Sequence, residues 1–82
     1  MKNKLVVEDL RNIISKAEFI KMGEKTTICC LTLKNGFEVV GFSACVDKDN
    51  YDKDIGEDNA YDTAFEKLWE LEGYKLQYDL MK

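Results

Sequence analysis

Residues 26–46 read TTICCLTLKNGFEVVGFSACV, and the fold depends on how this stretch bends. Two runs rich in β-branched and apolar residues, Thr26 to Leu33 and Phe37 to Val46, flank Asn35-Gly36. That dipeptide is the strongest short-range signal for a two-residue type I′ hairpin, because both central positions need φ > 0. Such a turn sets a register in which Lys34 faces Phe37, Leu33 faces Glu38, Leu31 faces Val40 and Cys29 faces Phe42. One face then carries Cys29, Leu31, Leu33, Val40, Phe42 and Ala44. The other carries Ile28, Cys30, Thr32, Phe37, Val39, Gly41, Ser43 and Cys45. Neither face is cleanly polar, so the ribbon wants cover on both sides. The chain's own helices can cover one side, and a second subunit or a partner is a natural cover for the other.

Upstream, Val6, Val7, Leu10, Ile13, Ile14 and Ala17 fall at the three-to-four spacing of one helical face, which predicts a helix over about 6–17. Glu8 and Asp9 in its first turn and Lys16 in its last match the helix dipole. Residues 18–22 fit either an extension of that helix or a short strand. Phe19 and Ile20 are β-formers and Gly23 is a ready breaker, which favours the strand and a three-stranded antiparallel meander. Downstream, Asp47 to Asn50 is a polar connection, and Asp49 or Asn50 is the expected cap of a second helix over about 51–72. Tyr61, Phe65 and Trp69 recur every four residues, as do Ala60, Ala64 and Leu68, making a broad apolar stripe suited to lying on a sheet. Gly56 is a candidate interruption and Gly73 a candidate C-cap. Residues 74–80 alternate in period two, as an added edge strand or a tethered terminus would. The fold class is therefore α+β: an N-terminal helix, a three-stranded antiparallel meander and a long C-terminal amphipathic helix packed on the sheet.

The chain has 82 residues, enough for a single small domain over 1–82. At this size only about 60% of the unfolded surface can be buried, so the core is small. Apolar residues are 45% of the chain, too many for a disordered tail. The net charge of −4 disfavours direct binding to nucleic acid or to an anionic membrane. The charge is uneven. Residues 1–46 hold seven basic and five acidic side chains, whereas 47–72 hold three and ten. A solvated outer face accounts for this; an imitation of DNA phosphates or a dock for a basic protein are the sharper readings. No segment approaches the roughly 18 apolar residues of a membrane span, and the N-terminus lacks the apolar run of a signal peptide, so an intracellular protein is expected.

Catalytic and metal-binding patterns are missing. There is no histidine. Cys29, Cys30 and Cys45 are odd in number and contain no CxxC, which points to reduced cysteines acting as small hydrophobes. Asp47, Asp49, Asp52, Asp54 and Asp58 suggest a calcium loop, but the sixth position counted from Asp47 is Asp52 where glycine is needed, and the twelfth is Asp58 where a glutamate is expected. No base stands at a motif spacing from Ser43 or Cys45, and no glycine-rich phosphate loop exists. No enzyme, no cofactor and no metal site are expected.

The strings Thr32-Leu33-Lys34-Asn35-Gly36-Phe37, Val40-Gly41-Phe42-Ser43-Ala44-Cys45-Val46, Ile55-Gly56 with Ala60-Tyr61 and Ala64, then Leu68-Trp69 and Leu71-Glu72-Gly73-Tyr74 are together specific. They resemble a family of small phage and prophage proteins named after gene product 49 of an N4-like phage and gene 66 of an Sf6-like phage, over about residues 26–76. The resemblance implies a phage origin and a setting in the host cytoplasm, and supplies no catalytic residues. Family members often carry a polar residue at the position of Phe42, which keeps the opposite face, with Phe37, Val39, Gly41 and Cys45, as an alternative core.

The leading expectation is a non-enzymatic phage accessory protein that binds and modulates a host factor, such as a defence component. The candidate interaction residues are Ile28, Cys30, Phe37, Val39, Phe42, Tyr61 and Trp69. Expected partners are a host protein or a second copy in a homo-oligomer. A sponge for a nucleotide signal at an oligomer interface, with Tyr61, Phe65 and Trp69 stacking a base, is the first alternative. An acidic DNA mimic is the second, and it requires negative charges in a double row.

Overall fold

A computed structural model describes residues 4–81. In chain order it contains α1 (Val7–Asn12), β1 (Ile14–Met22), β2 (Thr26–Leu33), β3 (Glu38–Ala44), a 3₁₀ turn (Lys48–Asn50) and α2 (Lys53–Leu80). The strands form an antiparallel sheet in the order β1-β2-β3, and α2 packs on β2 and β3. This is the expected α+β architecture.

The first helix is shorter than its apolar spacing predicts and ends at Asn12. Ile13 caps it, and Ile14 already pairs with Leu33. Two consecutive β-branched residues lose rotamer freedom in a helix but pack well on a pleated surface. A bulge between Ile14 and Lys16 turns Ile14 to the same side as Leu33. The helical spacing of Ile14 thus has a different origin, a strand that kinks by one residue. Residues 18–22 are strand, as favoured, and Gly23-Glu24-Lys25 returns the chain with Gly23 at φ 71°.

The central hairpin bends at Asn35-Gly36, but with three loop residues rather than two. Leu33 N–H donates to Phe37 O (2.8 Å), Gly36 N–H donates to Leu33 O (2.9 Å), and Gly36 alone in this loop takes a positive φ, 90°. This is a type I turn closed by a left-handed glycine. The register moves by one residue, so Leu31 pairs with Val39, Cys29 with Gly41, Cys30 with Val40 and Ile28 with Phe42. A slip of one residue exchanges the faces of one strand relative to the other. The face assignment expected from a two-residue turn is therefore corrected: Val40, Phe42 and Ala44 lie with Ile28 and Cys30, while Val39 and Gly41 lie with Cys29 and Leu31.

The core is Leu10, Cys29, Leu31, Leu33, Val39, Ala60, Ala64 and Leu68, flanked by half-buried Ile13, Ile14, Tyr61 and Phe65. Asp52, not Asp49 or Asn50, caps α2: its Oδ1 accepts from the N–H groups of Asp54 (2.9 Å) and Ile55 (3.1 Å). Asp47 caps the 3₁₀ turn. Gly56 does not break α2, and Gly73 does not end it. The tail 74–80 continues as helix instead of forming a strand, with Tyr74 and Tyr78 in contact at i, i+4, ring centroids 5.3 Å apart. At 28 residues α2 is about 42 Å long, well beyond the roughly 30 Å of the strands. The described residues accordingly extend 52 × 21 × 16 Å.

Candidate functional site

Helix α2 covers one side of the sheet and leaves the other open. Register alone builds the open side as four transverse rows: Lys16–Thr32–Glu38, Glu18–Cys30–Val40, Ile20–Ile28–Phe42 and Met22–Thr26–Ala44. The row nearest the Asn35 turn is polar, and the next is mixed. The third is wholly apolar. Phe42 (61%), Ile20 (60%), Met22 (59%) and Val40 (45%) stand exposed around half-buried Ile28 and Cys30. With strands about 4.8 Å apart and rows about 7 Å apart, the face has a flat footprint of roughly 400 Å². The apolar part of that footprint, from Val40 and Cys30 to Met22, is of the order of the largest patches on monomers, which are often functional. Charge sits at one end, where Lys16 Nζ lies 3.4 Å from Glu18 Oε1, both side chains mostly in water.

The two sheet edges differ. On β3, the Lys67 ammonium reaches from α2 and donates to the Val40 carbonyl, and α2 runs alongside. On β1, every residue after Ile14 is exposed. Lys21, exposed like the others, has its ammonium 4.3 Å from the centroid of the Tyr51 ring, whose hydroxyl shares a 3.0 Å hydrogen bond with the buried Thr27 hydroxyl.

The expected interaction residues separate into three groups. Ile28, Cys30 and Phe42 come together on the open face. Val39 lies in the core beneath α2, at 5% exposure, and offers no surface. Phe37 is exposed just before β3, beside a depression of about 370 Å³ shared with Lys67, Glu70 and Leu71. Tyr61 stacks on Phe65 (5.7 Å) and Phe65 meets Trp69 edge-on (6.4 Å), a ladder along α2 whose first two rings pack against the core. Ile20, Met22 and Val40 complete the open face and were not among the candidates. The alternation of Glu18, Ile20 and Met22 carries the signal for two of them once 18–22 is read as strand.

Four surface depressions of about 190, 220, 240 and 370 Å³ are shallow or small beside typical ligand clefts, and none of these four is lined by Tyr61, Phe65 or Trp69. The carboxylates of Asp54, Asp58, Asp62, Glu66 and Glu70 recur every four residues along α2, all exposed, in one winding row, with Glu57, Glu72 and Asp79 outside it and forming no second regular row. Among the described residues no group of three or more Cys, Asp or Glu side chains is placed to hold a metal ion, and no helix is long and apolar enough to cross a membrane. Burial pushes the Cys29 thiol up to about 11, with Cys30 and Glu57 adding to the effect. Cys30 and Cys45 are half-buried free thiols.

A small antiparallel sheet roofed on one side by a long helix, with a bare apolar second side, defines a helix-on-sheet protein built around a surface rather than a cleft. The chain belongs to the phage protein (N4 Gp49/phage Sf6 gene 66) family, whose model matches residues 5–80. No curated protein and no solved structure matched the chain.

Proposed function

We propose that this chain is a phage accessory protein of the host cytoplasm that acts by binding, and that its open sheet face engages and modulates a host protein. The observation that carries the reading is the row Ile20–Ile28–Phe42, flanked by Met22, Cys30 and Val40, left in water by the chain's own helices. Exposing this much apolar surface costs solubility, and a partner that covers it recovers the transfer free energy. Membership of a phage family makes a host component the natural partner. The nucleotide-sponge reading is weaker because the aromatic ladder of α2 is partly spent on packing. The DNA-mimic reading is weaker because the regularly spaced carboxylates of α2 make a single row, without the second row that reading requires.

The test is affinity capture from lysates of candidate hosts with immobilised wild type and Phe42→Asp. A host protein retained by the wild type, lost with Phe42→Asp, and altered in activity by added wild-type chain is expected. Equal retention by both forms, or retention by neither, rejects the reading.

A further inference from the structure

We infer that in the free protein the open sheet face is closed by the same face of a second copy, about a two-fold axis running along β2. The second copy and the host protein of the preceding reading use the same face, so a host protein would displace the second copy; the dimer itself is tested without any host component. The rows dictate the geometry. A rotation about an axis parallel to β2 lays β1 of one copy over β3 of the other and keeps each row against itself. Lys16 then faces Glu38 of the second copy, and Glu38 faces its Lys16, so two opposite-charge pairs form at the polar end. Ile20 faces Phe42 of the second copy, a bulky pair made twice. Met22 faces Ala44, large against small, as interdigitated packing needs. Ile28, Cys30 and Thr32 meet their own counterparts on the axis. The Thr32 hydroxyl oxygen is covered within one copy and has no hydrogen-bond partner there, so it takes no part in selecting the second copy. Glu18, opposite Val40, is the one mismatch, and it sits at the open β1 margin beside its own Lys16.

The alternative two-fold, across the strands, sets Lys16 over Met22 and Glu38 over Ala44 and buries both charges against apolar groups, which is unfavourable. Charge placement therefore selects one orientation. The product is two sheets packed face to face between two helices, a standard layered solution for an uncovered apolar sheet. Two such footprints bury roughly 800 Å² in total, below the range of stable specific interfaces and in that of weak, transient ones. A weak, reversible and concentration-dependent dimer follows.

The experiment is a concentration series by light scattering or sedimentation on the wild type, Phe42→Asp, Lys16→Glu, Glu38→Lys and the double exchange Lys16→Glu/Glu38→Lys. All three positions are exposed, and circular dichroism checks that each variant is folded. Expected is a wild-type dimer, a folded monomer for Phe42→Asp, and about tenfold weaker association for each single exchange because each alters two symmetric pairs. The double exchange recovers association to near wild type. The inference is overturned by a wild type that stays monomeric well above micromolar concentration, by a double exchange no better than the singles, or by a dimer that survives Phe42→Asp and so sits elsewhere, on the β1 edge or α2.

Discussion

Gly41 lies directly beneath Ala64: a Cβ placed on Gly41 would come within 2.2 Å of the Ala64 amide nitrogen and 2.7 Å of the Ala60 carbonyl oxygen. Backbone of α2 rests on backbone of β3 at this point, which is why the helix presents Ala60 and Ala64, both fully buried, to the strand. The neighbours that an added methyl would meet are main-chain atoms, which cannot swing aside. Gly41→Ala should therefore cost at least about 3 kcal/mol, the upper end for overpacking. Urea denaturation measures it, and a loss below about 1 kcal/mol contradicts this contact.

Gly73 is the contrasting case. It lies inside α2 with ordinary helical φ and has open space where a Cβ would go. Gly73→Ala should stabilise by about 0.5–1 kcal/mol, since alanine loses less backbone entropy in a helix. A raised melting temperature checks it. Destabilisation would mean that the helix is not continuous through this residue.

Gly36 holds φ 90° in the turn whose third residue sets the β2–β3 register. Asn35 Oδ1 supports it by accepting from Phe37 N–H at 2.9 Å. Gly36→Ala has free space but a strained backbone, and should cost about 1 kcal/mol or more. Chemical denaturation with an unchanged m-value is the expected signature; no measurable cost would place the turn in the two-residue form.

Asp52 combines a hydrogen-bonding cap with a charge at the N-terminus of α2. Asp52→Ala should cost about 1 kcal/mol. Asp52→Asn keeps an acceptor oxygen and should lose only a few tenths, so comparing the two variants by thermal melts separates capping from the helix dipole. Equal losses would assign the whole effect to charge.

Cys29 gives stability a pH dependence. Its thiol is held near 11 in the fold against an ordinary value of 9.0, first by burial and then by Cys30 and Glu57. The fold favours the neutral thiol, so this contribution is complete below pH 9 and is lost as pH rises from about 9 to about 11, amounting to about 3 kcal/mol. Unfolding free energies of the wild type should fall more steeply across that window than those of Cys29→Ala, which has no thiol there. Parallel curves would show that Cys29 does not titrate differently on folding.

Much of the fold is legible in the order of residues. The bend at Asn35-Gly36, the strand character of Thr26 to Leu33, the strand at Phe19–Ile20 and the amphipathic stripe of Ala60, Ala64 and Leu68 are local signals, written in turn chemistry, β-branching and helical period. So is the family, through its strings of matched residues. Three features were decided only in three dimensions. Ile13 and Ile14 satisfy a helical spacing, yet Leu33 offers Ile14 a partner, and cross-strand pairing outweighs the weak propensity of a short helix. Residues 74–80 alternate like a strand but prolong the helix before them, with Tyr74 and Tyr78 in contact one turn apart. The open face hinges on one residue of loop length: a two-residue turn would set Phe42 beside Leu31's face, and the three-residue turn sets it beside Ile28. The hairpin pattern showed apolar residues on both faces of the sheet, and the packing of α2 on one side decided that the other is left open. Which side chains are left uncovered was settled by register, because pleating alternates faces at every residue and local sequence does not distinguish a turn of two from a turn of three.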